Sequence, residues 1–248
     1  MVKSFSRDLE VLLADVGRMG GLAERAVAAA IEATARGDAA LAREVVAADQ
    51  QIDAAQHAIE QSALRLLALR QPLAVDLRQV VACLKVVTDL ERIGDLSKSI
   101  ARRSLVVDAV VAGSALRSLE RMGARVMTQL HGAMDAFVGQ DTELALRIWR
   151  ADDDIDTHYA SLFREFLNQM IADTSTITVG AHLLFMAKNL ERVGDHATNI
   201  VEAAHYFVTG ENIPGERPKG ESTARHVDTL MVPTGAAPTG PVRRNPSE

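Results

Sequence analysis

Leu90-Glu91-Arg92-Ile93-Gly94-Asp95 decides the fold, because it returns 100 residues later as Leu190-Glu191-Arg192-Val193-Gly194-Asp195. Upstream of the two hexapeptides the correspondence continues. Arg18-Met19-Gly20 returns as Arg121-Met122-Gly123, and Asp38-x-x-Leu41-Ala42 returns as Asp141-x-x-Leu144-Ala145. Asp49-x-x-Ile52-Asp53 likewise returns as Asp152-x-x-Ile155-Asp156, and all three pairs stand 103 residues apart. One spacing held over three segments, with a change of three before the fourth, marks an internal duplication with a connection of altered length.

Each copy reads as three long helices, at approximately 4–36, 39–70 and 73–105, then 114–138, 142–171 and 177–208. Asp38 and Asp141 precede apolar-periodic runs and suit N-caps, and Pro72 suits a helix start. The expected architecture is all-α, with two tandem pseudo-symmetric three-helix bundles over residues 1–107 and 108–208. Residues 209–248 hold six of the seven prolines and no aromatic residue. Such a stretch buries too little to offset its ordering entropy, which predicts a disordered tail whose removal after Gly210 barely moves the unfolding midpoint.

Composition narrows the function classes. The 248 residues are 48 % hydrophobic but only 4 % aromatic, which favours closely packed helices over a β-sandwich. A net charge of −6 argues against a nucleic-acid-wrapping surface. Cys83 is the only cysteine, so no disulfide framework arises and a reducing cytoplasm is expected. Neither a signal-peptide pattern nor a span of about 18 apolar residues is evident, so direct membrane insertion is not expected.

The candidate chemistry lies in the duplicated carboxylates. Val86, Leu90, Ile93, Ser97 and Ile100 form an inward stripe, and Glu91 and Asp95 lie well around the helix from it. The two acids are four residues apart, on one face about 6 Å apart along the axis. Glu191 and Asp195 repeat the pair, and Asn199 adds an oxygen donor one turn on, where the first copy has Ser99. Carboxylates on adjacent turns repel one another, and a hard cation reverses that sign because ionised oxygens are its preferred ligands. Asp49 with Asp53, and Asp152 with Asp156, sit on the second helix of each copy and complete the candidate oxygen-rich sites. Candidate metal ions are Fe, Mn, Mg and Zn, and all-oxygen donors also admit Ca²⁺. A glycine inside a helix costs about 1 kcal/mol relative to alanine, so Gly94 and Gly194 predict close approach of another backbone or a bound ion. His57, His158, His182 and His196 have no counterpart in the other copy and read as surface or boundary residues. No phosphate-cradling glycine loop, nucleophile elbow or zinc spacing is present, which predicts a protein that is not an enzyme. The alternative is a ferritin-like carboxylate-bridged di-metal oxidase or storage protein. It needs Glu-x-x-His on two helices, and only Glu202-x-x-His205 is available.

The hexapeptides 90–95 and 190–195, the tandem three-helix units, and Gln71-Pro72-Leu73-Ala74-Val75-Asp76-Leu77-Arg78 leading into the first motif resemble the PhoU family over about residues 3–208. The resemblance implies a six-helix protein, commonly a homodimer, with multinuclear metal sites. By residue match, Glu91, Asp95, Glu191 and Asp195 are the implied ligands. It also implies a cytoplasmic negative regulator that links the ATPase of a phosphate ABC transporter to a membrane sensor histidine kinase.

Overall fold

The computed structural model describes residues 2–70, 75–107, 112–215 and 217. Seven α-helices and one 3₁₀ turn lie among them: α1 Val2–Arg36, α2 Ala39–Arg70, α3 Val75–Ser104, α4 Ser114–Val138, α5 Thr142–Arg150, α6 Asp153–Ala172 and α7 Ile177–Thr209, with the 3₁₀ turn at Thr174–Thr176. The expected all-helical, two-repeat architecture is present. The Gln71–Ala74 part of the motif and the tail beyond Arg217 lie outside the described residues.

Local chemistry accounts for the boundaries. Asp38 accepts hydrogen bonds from the backbone N–H groups of Ala40 and Leu41, at 2.9 and 3.0 Å. Asp141 accepts from Leu144 N–H at 2.9 Å, so both expected N-caps are formed. One expectation needs correction: residues 142–171 form two helices, with a turn at Ala151-Asp152. Asp152, Asp153 and Asp154 are consecutive, and three aspartates suit the positive end of a helix better than its interior. The first copy has Asp49-Gln50-Gln51 there, and α2 runs on unbroken.

The helices α1, α3, α4 and α7 meet at the centre; α2 covers α1 and α3, while α5 and α6 cover α7 and α4. The core is continuous from Leu12, Val16 and Met19 through Leu90 and Ile93 to Leu190 and Phe207. Reciprocal contacts relate the halves. A methyl built on Gly123 would stand 2.6 Å from Ile31 Cδ1, and the equivalent Gly20 meets Met134, the counterpart of Ile31. Asn189 donates to Ser99 Oγ at 3.0 Å, and Asn199, the counterpart of Ser99, donates to Asp89 at 3.0 Å. Contacts exchanged in this way are the signature of a two-fold relation. The duplicated Gly20 and Gly123 thus serve the packing of α1 on α4.

Cys83 is buried in α3, and burial pushes its thiol up to about 12, which makes it an inert core residue. No helix is long and apolar enough to cross a membrane, among the described residues.

Residues beyond α7 depart from the expected tail. Gly210 takes a left-handed φ of 82° and turns the chain back. Ile213 then packs against the core, and Arg217 reaches the second repeat.

Candidate functional site

In the first repeat, Gly94 lets α2 come close to α3. A methyl built on Gly94 would stand 2.9 Å from Ile52 Cδ1 and 3.5 Å from Asp49 Oδ1. The neighbour is therefore an isoleucine side chain rather than the backbone or ion expected. Asp49, one turn before Ile52, is carried into this seam and is only 4 % exposed. A buried carboxylate needs a counter-charge. Lys98, one turn beyond Asp95 on α3, supplies it by donating from Nζ to Asp49 Oδ2. The same ammonium is 3.7 Å from Asp95 Oδ1, while Asp95 remains 46 % exposed. Glu91 is better covered and is paired with Arg92 at 3.4 Å. Burial raises the Glu91 carboxyl above its ordinary range. Arg92 opposes that shift, and the negative charges of Asp95, Asp53 and Asp49 add to it. Glu91 thus lies in the field of the other three predicted acids of the first copy.

The second repeat has the same frame and a different cation. A methyl on Gly194 would stand 3.0 Å from Ile155 Cδ1 and 3.1 Å from Gln129 Oε1. Asp152 is buried like Asp49. The position of Lys98 is taken by Thr198, whose hydroxyl donates to Asp152 Oδ1. Gln129 Nε2 donates to Asp152 Oδ1 at 3.2 Å and to Thr198 Oγ1 at 2.9 Å. The positive charge comes from Arg217. Its Nε donates to Asp152 Oδ2 at 2.5 Å, and its Nη2 to Asp152 Oδ1 at 3.1 Å and to Asp195 Oδ1 at 2.7 Å. Glu191 pairs with Lys188 at 2.6 Å through Oε1, while Oε2 is buried with no partner. Burial raises the Glu191 carboxyl, Lys188 opposes the shift, and Asp195 and Asp156 add to it.

Asn199 stands apart from this group, because its amide is committed to Asp89 at the α3–α7 seam together with His196, whose Nδ1 is 2.8 Å from the same oxygen. The Glu202-x-x-His205 pair of the oxidase alternative does not converge. Glu202 accepts from Trp149 Nε1 at 3.0 Å, and His205 Nδ1 lies 2.9 Å from the carbonyl of Glu211.

The donor chemistry suits a hard cation, since two carboxylates from separate elements share one side-chain cation in each repeat and one buried oxygen of Glu191 lacks a partner. Side-chain cations now hold Asp49 and Asp152, and no group of three or more His, Cys, Asp or Glu is arranged to hold a metal, among the described residues. Lys98, Thr198, Gln129 and Arg217 did not emerge as site residues from the sequence. The break in the repeat at Lys98 and Thr198 was a readable signal for two of them; Arg217 had none.

Known proteins place this geometry in context. The PhoU domain model matches residues 16–104 and again 119–204. A "Phosphate-specific transport system accessory protein PhoU homolog" of Caulobacter vibrioides is 50 % identical over 219 residues, covering 88 % of this chain and 95 % of the relative. Its counterpart in Rhizobium meliloti is 41 % identical over 229 residues, covering 90 % and 95 %. The crystal structure of PhoU from Pseudomonas aeruginosa superposes with a TM-score of 0.80 at 35 % identity, over 84 % of this chain and all of that one. The phosphate transport system regulatory protein PhoU from Streptococcus pneumoniae gives 0.79 at 30 % identity, over 85 % and 100 %. These relatives are named for accessory and regulatory roles, not for a reaction.

Proposed function

This chain belongs to the PhoU family, and on that premise we propose that it is a cytoplasmic negative regulator of phosphate uptake and the phosphate-starvation response. In this reading it links the ATPase of a phosphate ABC transporter to a membrane sensor histidine kinase. The observation that carries it is the near full-length match to an accessory protein of phosphate-specific transport, across both repeats. Long helices suit the task physically. They offer extended faces to two partners, and occupancy of one face biases the other wherever the two affinities are coupled. A homodimer would double those faces.

The test is genetic and then biochemical. Deletion of the gene should switch on phosphate-scavenging genes in phosphate-rich medium. The purified protein should bind the transporter ATPase or the cytoplasmic part of the kinase. Normal phosphate repression in the deletion strain, with no second gene copy, sinks the regulatory reading.

Metal binding belongs to the same proposal. Glu91 and Asp95 with Asp49 and Asp53 would hold one site, and Glu191 and Asp195 with Asp152 and Asp156 the other. Fe, Mn, Mg and Zn are the candidate ions. A bound cation would neutralise the gathered carboxylates and tie α2 to α3 and α6 to α7, with no turnover required. What supports the reading is the duplication of both acidic pairs and the buried, partnerless oxygen of Glu191. Metal analysis of protein purified without chelator tests it, and unchanged content in the Asp95→Ala, Asp195→Ala double variant counts decisively against it.

A further inference from the structure

We propose that Arg217 is a releasable counter-ion, so that its seating on Asp152 and Asp195 and the binding of a divalent cation at the second acidic site exclude one another. The inference rests on the metal reading above and names what competes with the metal. Two buried aspartates, Asp49 and Asp152, occupy equivalent places, and each is held by one side-chain cation. In the first repeat the cation is built into α3, one turn from Asp95. In the second repeat the equivalent position is Thr198, which has no charge to give. The substitute arrives from outside the helix. The chain reverses at Gly210, lays Ile213 on the core and sets the Arg217 guanidinium across both aspartates.

The two repeats therefore differ in kind. Lys98 cannot move far from its site, because only its own side chain separates it from α3. Arg217 sits on a short segment beyond the last helix and can leave with that segment. A cation seated on Asp152, Asp195 and Glu191 would take the oxygens that Arg217 uses, and two positive groups in one place repel. Cation binding would then free Arg217 and loosen the Ile213 packing, and withdrawal of the cation would restore the clasp. Ligand and segment compete for one site, so the apparent affinity for metal falls by the fraction of time that the site is open.

A reporter is already in place. Trp149 is the only tryptophan, and it lines a hollow with Ile213 and Pro214 from the returning segment. It is 8 % exposed, so departure of that segment uncovers it. The experiment uses the full chain in an Asp95→Ala background, which leaves the second site to be read alone. Mn²⁺ binding is followed by equilibrium dialysis, and the wavelength of maximum tryptophan emission reports the segment. Arg217→Ala should bind Mn²⁺ about tenfold more tightly than its parent if the arginine is seated nine-tenths of the time, and its emission should lie to the red without metal. The parent should move to that wavelength as Mn²⁺ saturates it. Arg217→Lys, which keeps the charge, should bind no more tightly than the parent. Equal Mn²⁺ affinity in the parent and Arg217→Ala, or saturation without an emission shift, overturns the exclusion while leaving the metal reading intact. Absence of Mn²⁺ binding in every variant overturns both.

Discussion

Asp49 shows how a single residue sets the demands on its neighbours. It is buried, and Lys98 is its counter-charge. Removing one partner of a buried pair leaves the other charge stranded, at a cost of about 3–5 kcal/mol when both are fully buried. Lys98 is partly exposed, so Lys98→Met should destabilise the metal-free protein by about 3 kcal/mol, the low end of that range, in denaturant unfolding. Adding Asp49→Asn should recover much of the loss, which a double-mutant cycle measures. His158 gives the fold a pH dependence outside the acidic groups. Burial lowers its imidazole pKa, and Arg125 and Arg121 add to the shift. The unfolded chain, with a histidine pKa near 6.5, therefore takes up the proton first. The stability that His158 contributes is present above about pH 6.5 and is lost as the pH falls below that value. His158→Gln should flatten this part of the pH–stability curve, and an unchanged slope between pH 7 and 5 would contradict the assignment.

At the scale of elements, glycines govern how closely helices approach. Gly20 on α1 and Gly123 on α4 are repeat equivalents, yet they meet different side chains. Gly20 faces Met134, whose flexible thioether can swing aside. Gly123 faces Ile31, with Cδ1 at 2.6 Å and Cγ1 at 2.9 Å from an added methyl, and a β-branched chain has few rotamers to yield into. Alanine gains about 1 kcal/mol of helix propensity at either position, while overpacking costs about 1–3 kcal/mol. Gly20→Ala should thus be near neutral, and Gly123→Ala should destabilise by about 1–2 kcal/mol. Equal effects in thermal unfolding would show that rotamer freedom does not decide the outcome. The break between α5 and α6 follows the same logic of local chemistry. Three consecutive aspartates favour a helix start, and the turn at Asp152 sets that residue where Arg217 arrives.

Across the whole molecule, the two repeats face each other through exchanged contacts, and the returning segment closes only the second. Composition alone predicts that truncation after Gly210 is harmless. Truncation removes Arg217, so Asp152 keeps only the neutral donors Thr198 and Gln129. The midpoint should fall by about 4–8 °C, from a loss of about 2 kcal/mol in a chain of this size. Arg217→Ala in the full chain should reproduce most of that fall. An unchanged midpoint in both proteins would mean that the arginine contributes nothing to stability.

Much of this was legible along the chain, because helix periodicity, N-caps and duplication are written in residues a few positions apart. The amino-acid order alone determined the helical stretches other than 142–171, which the turn at Ala151-Asp152 divides, the Asp38 and Asp141 caps, the two-repeat plan and the pairing of acids four residues apart. It also offered Asp49 and Asp152 as candidates for the same sites, through their shared distance from Ile52 and Ile155. Tertiary structure alone decided which charges those acids meet. Gly94 and Gly194 admit isoleucines, Asn199 turns to Asp89 across the seam, and Arg217 lands on Asp152 from 65 residues away. The reason is physical. A helical pattern constrains neighbours one turn apart, whereas the partner of a buried charge is whichever group the folded chain brings within reach, and no periodicity encodes that.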